Sequence, residues 1–73
     1  MSIEEQMKLD MTKELAVLLM DDYLDMTMEQ ALFTVLNSDT YTKLLNDKTC
    51  FYYQSPRYVY DFLKNELRTG KIS

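Results

Sequence analysis

Histidine is absent from this 73-residue sequence, and cysteine, glycine and proline each occur once. Without histidine and with a single thiol, the chain lacks the usual ligands of a zinc site and the base of most hydrolase triads. Cys50 has no partner for an intramolecular disulfide, and we expect it to be a small, half-buried packing residue rather than a nucleophile. The composition therefore predicts a protein that is not an enzyme and has no catalytic residue, cofactor or metal site.

Long apolar runs are also missing. The longest, residues 15–20, ends at Asp21 and Asp22 and is far shorter than the roughly 20 residues that cross a bilayer. The N-terminal residues Met-Ser-Ile-Glu-Glu are acidic where a signal peptide would be basic. We therefore expect a cytoplasmic protein that does not bind membranes.

The scarcity of glycine and proline leaves little turn chemistry for a β-sheet, whereas the good helix formers Leu, Met, Glu, Lys and Ala are plentiful. Apolar residues make up 47% of the chain, which is enough for a folded core. At 8.7 kDa the chain can bury only about 60% of its surface, so one small domain over residues 1–73 is expected. The predicted fold is all-α, a small bundle of about four helices with one extended aromatic loop before the last helix.

Capping signals place the first helix. Ser2 followed by Glu5 has the spacing of a capping box and predicts a helix from Ile3 to Leu24. A start near Met11 is the alternative, and it would leave the first ten residues mobile.

Thr27 and Gln30 form a second capping box, so the second helix is expected to start at Met28. Its apolar residues have helical spacing and are expected to form one inward face with one residue on its flank. The inward residues are Ala31, Leu32, Val35 and Leu36, and Phe33 lies on the flank.

The next stretch contains a turn and a short third helix. Residues 37–39 favour a turn, and either Ser38 or Asp39 can cap a helix over residues 40–45. The residues expected to point inward from this helix are Tyr41, Leu44 and Leu45.

The last helix has the clearest start. Residues 49–54 are rich in aromatic side chains, and we interpret them as an extended loop. Ser55 is a preferred N-cap and Pro56 fits the first helical position, so the fourth helix is expected to begin at Pro56. It should end near Thr69, with Gly70 as the residue that follows it.

The two halves of the chain differ in charge. Residues 1–37 carry two lysines and eight acidic residues, a net charge of −6, whereas residues 38–73 have a net charge of +2. Asp21, Asp22 and Asp25 lack the spacing and the glycine of a calcium loop and are read as a solvated helix face.

Residues 27–45 have the order of a helix-turn-helix unit, with Lys43 on the second helix. A small DNA-associated transcriptional regulator is therefore the alternative function. The net charge of −4 and pI near 4.5 oppose phosphate binding, so nucleic acid is the less favoured partner.

A group of tyrosines around one arginine is the most distinctive surface feature of the sequence. Tyr and Arg are enriched at interface hot spots, because each combines a large contact area with polar groups. We predict a protein–protein interaction module that binds a second copy of itself or another protein, with the homodimer as the favoured form. About half of these rings should be buried and half available to the partner. The predicted partner-binding residues are Phe51, Tyr52, Tyr53, Arg57, Tyr58 and Tyr60.

Three segments resemble a family of small bacterial helical proteins of unknown function. These are Met-Thr-Met-Glu-Gln-Ala-Leu at 26–32, Asp-Thr-Tyr-Thr-Lys-Leu-Leu at 39–45 and Tyr-Gln-Ser-Pro-Arg-Tyr-Val-Tyr-Asp-Phe-Leu at 53–63. The family combines a T-x-E-Q-A-L helix start with a C-terminal S-P-x-Y-V-Y helix, and some members are encoded beside ADP-ribosyltransferase-like genes. The resemblance implies an antitoxin-like or regulatory partner of a neighbouring gene product, and it supplies no catalytic residues.

Overall fold

The structure, a computed structural model, describes residues 2–69. Four α-helices follow one another in this part of the chain: α1 at Ile3–Asp22, α2 at Met28–Leu36, α3 at Asp39–Leu45 and α4 at Pro56–Thr69. Two short 3₁₀ turns, Asp47–Thr49 and Phe51–Tyr53, join α3 to α4, and residues 2–69 contain no strand. The predicted all-α bundle is confirmed.

Helix α1 begins at Ile3, which decides between the two predicted starts. The backbone N–H of Glu5 donates to Ser2 Oγ at 3.1 Å, and the N–H of Ser2 donates to Glu5 Oε1 at 2.9 Å, so the capping box forms. The helix ends at Asp22 rather than at Leu24. The reason is a turn that starts at Tyr23, whose carbonyl oxygen accepts from Met26 N–H at 2.9 Å.

Helix α2 begins at Met28 as predicted, with both hydrogen bonds of the Thr27–Gln30 capping box present. Its inward face is narrower than the sequence indicated. Ala31 and Val35 are fully buried, but Leu36 is exposed. The prediction that Leu36 faces inward is wrong, because α2 contacts the bundle along one side only.

Helix α3 begins one residue earlier than predicted, at Asp39, and Ser38 rather than Asp39 is its N-cap. Ser38 Oγ accepts from Tyr41 N–H at 3.0 Å and donates to the Val35 carbonyl oxygen at 2.6 Å, which ties α3 to the end of α2. Leu44 is fully buried, whereas Leu45 is exposed, contrary to the prediction that it faces inward.

The segment predicted to be an extended loop instead forms the two 3₁₀ turns. Cys50 lies between them in the left-handed region, with φ at 55°. This conformation is uncommon for a residue other than glycine, and the two residues that follow it, Phe51 and Tyr52, are buried. Cys50 itself is exposed, so the prediction that it is half-buried is wrong.

Helix α4 spans Pro56–Thr69 as predicted, and Ser55 Oγ accepts from Tyr58 N–H at 3.2 Å. The predicted role of Gly70 lies outside the described residues. Helix α1 packs against α2, α3, α4 and the second 3₁₀ turn, so the core lies along its inner side. No helix in residues 2–69 has the length and apolar character needed to cross a bilayer. The core residues are Met11, Leu15, Ala16, Leu19, Ala31, Val35, Leu44, Phe51, Tyr52, Val59, Tyr60 and Leu63.

Candidate functional site

The six predicted partner-binding residues fall into two groups in the structure. The side chains of Phe51, Tyr52 and Tyr60 are buried in the core, and Tyr60 is 0% exposed. The other three are exposed, with Tyr53 at 62%. A partner can therefore reach Tyr53, Arg57 and Tyr58, while the three buried rings stabilise the fold.

Tyr60 fixes α4 to the end of α1. Its hydroxyl donates to Asp22 Oδ2 at 2.5 Å, and Lys64 Nζ lies 3.8 Å from the same oxygen. Burial, together with the hydrogen bond to Asp22, raises the pKa of the Tyr60 hydroxyl far above its ordinary range. The two α4 side chains also offset the unfavourable position of Asp22, a carboxylate at the negative end of the α1 dipole.

The rings before and within α4 pack mainly on one another. The centroid of Phe51 lies 5.1 Å from that of Phe62 and 6.4 Å from that of Tyr58, and the Tyr58 and Phe62 centroids are 5.4 Å apart. Lys43 Nζ lies 5.9 Å from the Phe62 centroid. These contacts already use much of the aromatic area that the sequence assigned to a partner.

Tyr52 and Tyr53 form a second stacked pair, with centroids 4.6 Å apart. Lys8 covers the Tyr52 ring at 5.3 Å and donates to Asp47 Oδ1 at 2.7 Å and to the Leu45 carbonyl oxygen at 3.2 Å. The hydrogen bond to Asp47 raises the pKa of Lys8, and desolvation raises the pKa of Tyr52. Lys8 thus holds the 3₁₀ turns against the first half of α1.

A second apolar surface lies on the outer side of α2. It is a shallow groove of about 970 Å³ between α2 and the α1–α2 loop, called here the α2 groove. Phe33 is 69% exposed and Leu36 is 48% exposed within it. Beside it in the loop, Leu24 is 87% exposed. The residues that line the α2 groove are Tyr23, Asp25, Met26, Glu29, Gln30, Leu32, Phe33, Thr34 and Leu36.

The helical geometry of α2 explains this exposure. Each residue turns about 100° around the helix axis, so Phe33 projects about 200° from Val35, which is fully buried. Met28, Leu32 and Leu36 lie between these two directions. Helix α2 is therefore apolar both towards the core and towards solvent, an arrangement that needs a covering partner if both sides are to be buried.

The apolar surface continues past the α2 groove. A smaller depression between α1 and α3 shares Leu36 with it and is also lined by Leu9, Tyr41 and Leu45. Three helices thus contribute exposed apolar side chains to one side of the molecule. Contiguous patches of this kind mark interaction sites in soluble proteins.

The charges at the α2 groove have one sign. Asp25 and Glu29 line it, and no lysine or arginine does so among the residues that the structure describes. In the sequence, residues 14–42 contain six acidic residues and no basic one. The groove therefore combines an apolar floor with an acidic rim.

Sequence reasoning missed this surface. It assigned the apolar residues of α2 to one inward face, although six of the nine residues in the helix are apolar. One side of a nine-residue helix cannot bury six side chains, and this excess is the signal that could have identified the outer surface.

The DNA-reading alternative meets a specific obstacle at α3. A recognition helix contacts bases with its N-terminal residues. Here the N–H groups of Asp39 and Thr40 donate to the two carboxylate oxygens of Glu66, at 2.8 Å and 3.0 Å. The carboxylate of Glu66 and that of Asp39, the first residue of α3, thus lie at the end of the helix that would approach the DNA. Their negative charge opposes binding to phosphates.

No protein-family model, curated protein or solved structure matches this chain. The exposed side chains and their charges are therefore the observations that bear on function.

Proposed function

We propose that this protein is a non-catalytic protein-interaction module that binds a helix of a partner protein in the α2 groove. The observation that supports the proposal is the exposure of Phe33, directly away from the core, on a helix whose opposite side is buried. Phenylalanine is enriched in the buried centre of protein–protein interfaces relative to the rest of the surface.

The apolar area is sufficient for binding. Complete burial of a large apolar side chain contributes about 1.5–3 kcal/mol. Phe33 and Leu36 line the groove and are each more than two-fifths exposed, so a partner that covers them gains a substantial part of this amount at each position. Because α2 is already folded on the bundle, the module loses little conformational entropy when it binds.

The shape of the groove favours a helix over a small molecule. Small-molecule sites enclose most of their ligand, whereas Phe33 and Leu36 lie open on the surface. Helix α2 is nine residues long, which corresponds to about 13.5 Å. A partner helix laid along it would present two or three turns of apolar residues.

Two partners were expected from the sequence, a second copy of the chain and another protein. The neighbouring gene product that the family resemblance implies would be a partner of the latter type, another protein. Tyr53, Arg57 and Tyr58 remain predicted contact residues, and the surface formed by them and the rings of Phe51 and Phe62 is called the aromatic side. The α2 groove is the surface we propose as the principal contact.

Site-specific photo-crosslinking in cells tests the proposal. A benzoylphenylalanine residue would replace Phe33 in one variant, Tyr53 in a second and Ile3 in a third, since all three positions are strongly exposed. We expect one discrete cross-linked protein, identified by mass spectrometry, with its highest yield at position 33 and none at position 3. With that protein purified, Phe33→Ser should weaken binding about thirtyfold while the melting temperature stays unchanged.

Cross-linking at position 53 but not at position 33 would assign the contact to the aromatic side. Equal, diffuse cross-linking at all three positions would contradict an interaction module altogether.

A further inference from the structure

We propose that the occupant of the α2 groove is a basic amphipathic helix of another protein rather than a second copy of this chain. This inference rests on the proposed function and specifies its partner. It follows from the charges around the groove and from the symmetry that a second copy would impose.

Asp25 and Glu29 are the two charged residues that line the groove. The ion pairs in the described part of the chain join Lys8 to Asp47 and Lys64 to Asp22, so neither carboxylate at the groove has a cation within ion-pair distance there. Lysine or arginine side chains that flank the apolar stripe of a partner helix would meet these carboxylates at the rim. Such complementarity selects the partner and accelerates its association.

A second copy meets the opposite situation. Contacts in a symmetric dimer are isologous, so the same patch of each chain faces its counterpart. A dimer centred on Phe33 would bring Asp25 and Glu29 of both copies to one interface with no basic residue from the lining of either groove. Like charges brought together in this way oppose association.

A head-to-tail arrangement would place the aromatic side of one copy, with Arg57 and Lys43, in the α2 groove of the next. The rings of that side already pack on one another, with Phe51, Tyr58 and Phe62 in mutual contact. A contact of this type generates closed rings or open chains instead of a two-fold dimer, so sedimentation equilibrium would show masses above that of a dimer.

The groove also restricts the pattern of the partner. Leu32 and Leu36 are one helical turn apart, and Phe33 lies beside them on the outer side of α2. A complementary helix would carry apolar residues at positions i, i+3 or i+4, and i+7, with lysine or arginine on both sides of this stripe.

The test uses three synthetic helical peptides of equal length and the complete protein. The first has leucines in that stripe and lysines at the remaining positions, the second has glutamates in place of the lysines, and the third has the composition of the first in an order without a stripe. Fluorescence anisotropy at low and high salt gives each affinity. We expect the first peptide to bind at least tenfold more tightly than either of the others, with an affinity that falls as salt rises.

Two variants locate the binding. Phe33→Ser should lower the affinity of the protein for the first peptide about thirtyfold. The double variant Asp25→Asn, Glu29→Gln should lower this affinity about fivefold and make it less dependent on salt. The matched control Glu14→Gln, Asp61→Asn removes the same net charge at exposed positions outside the groove lining and should bind like the wild type.

The outcomes separate this inference from the proposed function. If both striped peptides bind equally and Phe33→Ser weakens both, the groove accepts helices without selecting charge, and only this inference fails. If Phe33→Ser changes the affinity for neither striped peptide, the proposed function fails as well. Sedimentation equilibrium measures whether the chain binds a second copy of itself. We expect a mass near 8.7 kDa at 100 μM. A dimer that Phe33→Ser dissociates would instead assign the groove to a second copy.

Discussion

The aromatic region around α4 and the outer side of α2 are both rich in large apolar residues, but they face different surroundings. Around α4, the ring of Tyr60 is buried and those of Phe51, Tyr58 and Phe62 contact one another. On α2, Phe33 extends into solvent, and its ring stacks on no other ring within residues 2–69. One region stabilises the fold, and the other leaves apolar area for a partner.

The difference shows that the same residue type has opposite roles in the two regions. Phe33 and Thr34 also border a smaller depression with Glu66 and Leu67 of α4, but the rings of α4 and the lining of the α2 groove share no residue. Substitutions around α4 should therefore change the free energy of unfolding, and substitutions in the α2 groove should change binding.

The largest expected effect comes from Tyr60→Ala. Truncating a fully buried aromatic side chain removes its packing and leaves a cavity, which costs about 3–5 kcal/mol. For a chain of this size that is a large part of the total stability. Chemical denaturation followed by circular dichroism should show the loss. Phe33→Ala is the matched control, and its free energy of unfolding should stay within about 0.5 kcal/mol of the wild-type value. A large loss of stability in this variant would mean that Phe33 packs in the fold.

The second effect concerns Glu66, which links α4 to the N-terminus of α3. Its carboxylate accepts three hydrogen bonds, from the N–H groups of Asp39 and Thr40 and from Thr40 Oγ1 at 2.9 Å. Glu66→Ala should destabilise the protein by about 1.5–3 kcal/mol, because hydrogen bonds to a charged group are lost. Glu29→Ala, on the exposed side of α2, should change stability little. Equal losses in the two variants would contradict the distinction between the regions.

Alkaline titration should distinguish the regions through Tyr60. Burial raises the pKa of its hydroxyl above the ordinary value of 10.0, so above that pH the unfolded tyrosine releases its proton while the folded one retains it. The free energy of unfolding should then fall by about 1.4 kcal/mol for each pH unit. Lys8 and Tyr52, whose pKa values are also raised, act in the same direction.

Denaturation at several pH values between 9 and 12 measures this slope. Tyr60→Phe should reduce it, and Tyr53→Phe, on an exposed ring, should leave it as in the wild type. An unchanged slope in Tyr60→Phe would remove Tyr60 as its source.

The smallest effect compares the two helix starts. Ser55→Ala removes the side-chain cap of α4 and should cost about 1 kcal/mol, measured as a decrease of several degrees in melting temperature. Thr27→Ala removes the equivalent bond of α2 and should cost a similar amount. A much smaller cost for Thr27→Ala would show that α2 is held less firmly than its capping box indicates.

The sequence by itself determined the all-α class and the starts of α2 and α4. The start of α2 follows from the capping box at Thr27, and that of α4 from Ser55 before Pro56. For α1 the capping box at Ser2 indicated one of two possible starts, and the structure decided between them. These signals can be read directly because a cap joins residues only three positions apart, and its hydrogen bonds form wherever the helix lies in the fold.

Only the tertiary structure decided which apolar side chains face water. Leu36 follows the apolar spacing of its helix as well as Val35 does, yet Val35 is buried and Leu36 is not, because α1 and α3 cover only one side of α2. The contact of Glu66 with α3 joins residues 26 and 27 positions apart, and the left-handed turn at Cys50 is followed by the buried Phe51 and Tyr52. Burial depends on which distant segments lie above a side chain, and no spacing within one helix specifies them.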